Sequence, residues 1–214
     1  AVPAFFVGFE KDVALHREWF NVVLLGVPSE WTSNGNISLS AQVIRFFTTS
    51  TAFEYKGVSF HLTLVELAPR TVTVLRFGIS AAVLSMMGFL ALRFHNAPEL
   101  ISKWGIYALA FALVPCFSTI AEVPHLVVLG PAAIFLAHVI FVEGVNEWPL
   151  QWLFAGSFVL TTFTSKTFVG EFLGKLFAST GVVMFGVVLL AAAVVRSLYL
   201  LEKRSDNGEA IAQT

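Results

Sequence analysis

Two histidines and a glutamate stand out in a chain that is otherwise poor in reactive groups. His125 and His138 lie thirteen residues apart in one apolar stretch, and Glu143 follows His138 by five. Histidines so spaced on one helix could each ligate one of two stacked haems. Each iron would also need a second axial ligand from another helix. The remaining histidines, His16, His61 and His95, fall outside the apolar runs, so haem is the thinner reading and hydrogen bonding of His138 inside a bundle the plainer one. An ionisable residue within a membrane segment is a functional candidate by default, and His138 with Glu143 could form a proton or ion path. The competing reading makes Glu143, with Glu147, an acidic interfacial break. No phosphate loop, His-Glu-x-x-His set, cysteine pair or nucleophile motif accompanies them. Catalytic residues and a metal site are therefore not expected.

Other motifs are structural. Gly170, Gly174 and Ala178 place small residues every four positions, a stripe that admits another helix. Asn36-Ile37-Ser38 matches the N-glycosylation pattern after the turn-prone Ser33-Asn34-Gly35; an ordinary turn asparagine is the alternative. Pro115 and Gly130-Pro131 sit inside apolar stretches, where proline kinks a helix. Arg76 and Arg196, near segment ends, can snorkel to the interface. The single cysteine, Cys116, excludes an intrachain disulfide.

These residues must be positioned by a membrane-embedded scaffold. Of the 214 residues 57% are hydrophobic and 13% charged, against about 45–50% and about 25% in soluble domains. Most of the excess follows residue 70. Five apolar stretches, 72–92, 104–120, 126–142, 150–164 and 177–201, are separated by polar breaks. A span takes roughly 20 helical residues, and lipid leaves the backbone no partner but its own helix. The first and fifth stretches meet that length best, and the fourth is short. Trp104, Trp148 and Trp152 stand at segment ends, as interfacial aromatics do. Lys166, Glu171 and Lys175 interleave with Phe168, Phe172 and Leu176, an interfacial amphipathic turn leading into the last helix. If continuous, that helix runs from Thr167 to Leu201.

Residues 1–70 read as a small extramembrane domain. Alternation over 37–46, a polar turn at 48–51 and a second alternation over 53–66 predict a β-hairpin. Its apolar face needs a cover, since a lone hairpin is marginal. The stretch 19–25 suits a third strand or a helix lying on the membrane surface. Residues 202–214 read as a polar, disordered tail. The first residues, Ala1-Val2-Pro3, fit removal of an initiator Met or of a longer signal or transit peptide.

The expected fold is therefore mainly α: about five transmembrane helices carrying a small β-containing amino-terminal domain. A net charge of −1 excludes a nucleic-acid partner. The expected role is a non-catalytic accessory or structural subunit of a larger membrane assembly. Its partners would be other membrane subunits and lipids, and its 22 phenylalanines could also meet a pigment. The alternatives are a small channel or transporter using His138 and Glu143, and a haem-binding redox protein using His125 and His138. Lys/Arg placement slightly favours a cytoplasmic carboxyl terminus and a lumenal or extracellular amino-terminal domain. The membrane itself is not specified.

Overall fold

The computed structural model describes residues 8–19, 36–117 and 121–207. An exposed helix α1 (Phe9–Trp19) comes first; residues 20–25 of the apolar stretch at 19–25 lie outside the described residues. The next element corrects the sequence reading. Residues 39–47 form a helix, α2 (Leu39–Phe47), and not the first arm of a hairpin. Apolar residues four apart, Leu39, Val43 and Phe47, satisfy a period of two and a helical period alike. The Ser38 side chain decides between them by accepting the Ala41 N–H at 3.1 Å, an N-cap.

The hairpin falls mostly within the second alternation, with β1 beginning at Thr51, inside the expected turn. Strands β1 (Thr51–Tyr55) and β2 (Val58–His61) pair antiparallel, with Phe53 opposite Phe60. The turn falls at Lys56 and Gly57, both at positive φ, the backbone that a two-residue type I′ turn demands. The required cover comes from the same chain. Phe53 and Phe60 stack at 4.6 Å, and Phe172 sets its edge against both rings and against Tyr55.

Among the described residues, three helices are long and apolar enough to cross a membrane. These are α3 (Pro69–Arg93), α4 (Leu100–Phe117) and α8 (Val182–Asp206). Helix α4 opens with a π-helical turn over Leu100–Gly105. The stretch expected at 126–142 is a 3₁₀ segment, Val123–Leu129, followed by α5 (Gly130–Phe141). Pro131 occupies the first turn of α5. There its missing N–H has no helical partner to lose, so it starts a helix and does not kink one. The stretch at 150–164 is α6 (Trp148–Thr162), 15 residues long.

The long terminal helix is broken. An α7 (Lys166–Ser179) precedes α8, and Gly181 separates them at φ +82°. Helix α8 is the axis of the molecule, burying Met184, Val187, Leu190, Val194, Leu198 and Leu201 against α4, α5 and α6. Gly186 sets the α6–α8 approach. A Cβ there would lie 2.9 Å from Thr161 Cγ2 and 3.0 Å from Leu160 Cβ. The expected tail is helical as far as Asp206, and residues 208–214 lie outside the described residues.

Helix α2 and the hairpin belong to this bundle. Asn36 Oδ1 accepts from Ala121 N at 3.0 Å, and Ile37 N donates to Ala121 O at 2.6 Å. Gln42 Nε2 donates to Ala178 O at 2.9 Å, Ser179 Oγ to Ala52 O at 3.2 Å and Lys175 Nζ to Glu54 O at 3.0 Å.

Of the stripe at 170–178, Gly174 and Ala178 turn inward and Gly170 stays exposed. Gly170 has φ +81° and interrupts α7, so the three small residues share no regular helix face. A Cβ on Gly174 would sit 2.8 Å from the Lys166 backbone. Ala178 is buried with Ile37, Ala121 and Val183.

Two substitutions and one control test these contacts. Gly174→Ala should lower stability in detergent by about 1–3 kcal/mol through overpacking. Gly88→Ala, whose site has nothing within 4 Å, should leave the isolated chain unchanged or slightly stabilised. Asn36→Ala should cost about 2 kcal/mol or more, because the Ser38 and Ala121 N–H groups lose a buried acceptor. Thermal or denaturant midpoints of the purified variants measure all three.

Candidate functional site

Helix α5 ends close after His138, and the manner of its ending builds the site. Val142 N and Glu143 N both donate to His138 O, and Val145 N donates to Val139 O. Gly144 takes φ +62°, the left-handed position that favours glycine at a helix end. The chain folds back beneath its last turn and carries Glu143 to His138. Nε2 and Oε1 are 3.3 Å apart, with the glutamate side chain 5% exposed and the histidine 24%. The two are close but not aligned as a full hydrogen bond. Helix α8 locks the turn, Arg204 donating to Glu143 O at 2.6 Å and to Gly144 O at 3.1 Å.

His138 also lines a groove of about 600 Å³ between α4 and α5. Leu100, Trp104, Tyr107 and Phe111 line one wall, and Pro131, Ile134 and Phe135 the other. The π-helical turn of α4 forms part of that wall, and π-turns recur at functional sites. Its buried side holds Gly105, where a Cβ would lie 2.2 Å from Leu198 Cδ2. Trp104 and Tyr107 thus face outward because the inner side of the turn is filled.

His125 and His138 do not share one regular helix. His125 lies in the 3₁₀ segment and His138 near the end of α5, roughly 20 Å apart along the axis at ~2.0 and ~1.5 Å rise per residue. His138 Nε2 faces Glu143. No group of three or more His, Cys, Asp or Glu side chains able to hold a metal occurs among the described residues.

The other sequence candidates take structural places. Asn36 is fully buried, its Oδ1 accepting from Ser38 N and Ala121 N. A glycan needs that amide at the surface, so the folded arrangement has no room for one. Arg76 is buried and does not snorkel. Cys116 is buried against Met184. Arg196 forms a two-pronged pair with Glu147, Nε to Oε2 at 2.8 Å and Nη2 to Oε1.

Two features were not read from the sequence. Arg45 is fully buried in α2, and burial pushes its guanidinium down to about 10. Its place in the alternation at 37–46 gave no sign of this, because that pattern was read as a strand. The second is a stripe on α3. Gly78, Ala81, Ser85 and Gly88 are all exposed, and neither glycine has an atom within 4 Å of a would-be Cβ. Spacings of three and four residues were its available signal.

The charges around the α5–α6 turn give a pH prediction. The hydrogen bond and charge of Arg196, with the charge of Lys203, hold the Glu147 carboxyl below its ordinary 4.5. The unfolded chain therefore binds a proton first as pH falls, and the pairing contributes stability above 4.5 that is lost as pH drops through the lowered value. Glu147→Gln should make the acid-side fall in thermal midpoint shallower, with a small loss at neutral pH because the pair is part exposed.

Comparison with protein-family models, curated proteins and solved structures finds no match.

Proposed function

We propose that the chain is a non-catalytic, multi-pass subunit of a larger membrane assembly, with α3 as its docking helix. The observation that carries this reading is the open small-residue stripe of Gly78, Ala81, Ser85 and Gly88. Helix α3 is the least covered of the three long helices, 11% buried over its apolar window against 50% and 56% for α4 and α8. In lipid, helices associate where small residues let backbones approach closely. Phe77, Leu84 and Phe89 are also exposed on this helix and would add contact area beside such a groove. The stripe at Gly174 and Ala178 is already filled from within the chain, so α3 is the face left for a neighbour.

We further propose five membrane traverses. The connections over 94–99 and 142–147 are short, which makes successive helices antiparallel neighbours. The fourth traverse, α6, would span about 22 Å at ~1.5 Å per residue, short of the ~30 Å hydrocarbon core. Trp148 and Trp152, ring centroids 5.7 Å apart at its start, suit an interfacial anchor that draws the bilayer inward. The transport alternative draws on the His138–Glu143 contact, but the remaining groove lining is almost wholly apolar.

The test is extraction in a mild detergent, native sizing and mass spectrometry of what travels with the chain. Stoichiometric partner subunits are expected, and a clean monomer or homo-oligomer would contradict the reading. Gly78→Leu and Gly88→Leu should release those partners while leaving the isolated chain as stable or slightly more so, since leucine is the better helix former. Full retention of partners by both variants would remove α3 as the docking face.

A further inference from the structure

The groove between α4 and α5 has a use that docking through α3 does not require. We propose that it binds a lipophilic phenol, a quinol-type ring with an apolar tail, whose hydroxyl donates to Nδ1 of His138.

The chemistry of the imidazole selects the head group. A carboxylate accepts and does not donate, so of the two neutral tautomers of His138, Glu143 beside Nε2 favours the one with its hydrogen on that nitrogen. Nδ1 is then an acceptor, and the negative charge behind the ring strengthens it. The His138 side chain has no polar contact besides Glu143 among the described residues. A phenolic hydroxyl donates more strongly than an aliphatic one and is the better match.

The walls select the rest of the molecule. Trp104, Tyr107, Phe111 and Phe135 offer flat faces on which a ring can lie. The volume of about 600 Å³ lies within the range of about 300–1,000 Å³ typical of small-molecule sites. Polarity runs in the right order along the groove. His138 stands beside Glu143, whose carbonyl takes Arg204, and Leu100 on the same groove lies in the turn that carries the Glu99–Lys103 pair. Ile134, Pro131 and Phe111 extend away from His138, where a tail belongs. The acceptor is also held in advance of binding, because Gly144 and Arg204 fix the turn that presents Glu143.

The test uses the purified full chain in phosphatidylcholine nanodiscs. Decyl-hydroquinone, kept reduced under anaerobic conditions, is titrated by calorimetry and by quenching of tryptophan fluorescence. Its dimethyl ether and a sterol are titrated in parallel. Saturable one-to-one binding of the hydroquinone is expected, with the ether about tenfold weaker, the scale of one hydrogen bond. His138→Leu should weaken the hydroquinone about tenfold and leave the ether unchanged. Ile134→Trp should fill the groove and remove binding of both. The proposal is overturned by equal affinities for hydroquinone and ether on the wild-type chain, by sterol binding with the same dependence on His138, or by no saturable binding. The wild-type comparison decides the matter even where His138→Leu fails to fold.

Discussion

Everything at one end of the bundle depends on a carbonyl that its own helix cannot satisfy. Gly181, at φ +82°, separates α7 from α8, and a helix that ends leaves its last carbonyls without partners. Ala178 O takes its hydrogen from Gln42 Nε2 instead. That bond draws α2 into the bundle, where Val43 and Ile44 meet Val72 of α3. Asn36 and Ile37 add a two-bond clip to Ala121, and the hairpin follows through Ser179 and Lys175. A segment of this size, without disulfides, would be marginal alone. It is ordered here because it completes the ends of membrane helices.

The opposite end is held by charge. Helix α8 sends Arg196 to Glu147, Glu202 to Arg93 at 2.6 Å and Arg204 to the carbonyls of the α5–α6 turn. Arg93 also lies over the rings of Phe94 and Tyr199. The amino-terminal end is thus closed mainly by hydrogen bonds to backbone, and the carboxyl-terminal end by charged side chains gathered around one helix. Between them the interior is apolar. His138 and Glu143 are set where charge and groove meet, which gives them a chemical setting distinct from that of the other ion pairs.

The apolar stretches were legible because hydropathy over twenty residues is a strong signal, and α3, α4 and α8 appear where they were expected. His138 and Glu143 lie together because five residues across a helix end is a short distance. Misreadings came where one pattern serves two structures. Leu39, Val43 and Phe47 fit a strand and a helix equally, and the Ser38 cap was the discriminating detail. The apolar run across 177–201 hid its break, because one glycine in an apolar helix is ordinary until its φ is known. Gly170, Gly174 and Ala178 looked like one regular packing stripe for the same reason. Whether a small residue faces a neighbour or its own chain depends on tertiary contacts, which spacing alone does not carry. Residues such as Arg45 and Asn36 were illegible as buried groups because their partners lie far away in sequence.

On the docking proposal, α3 presents an unfilled face to a neighbouring helix. A photoreactive amino acid in place of Ser85, at the middle of the stripe, tests it directly in native membranes. Illumination is predicted to give a discrete protein adduct of higher mass, with one partner polypeptide identified by mass spectrometry. Adducts to lipid alone, with no cross-linked protein band, would contradict it.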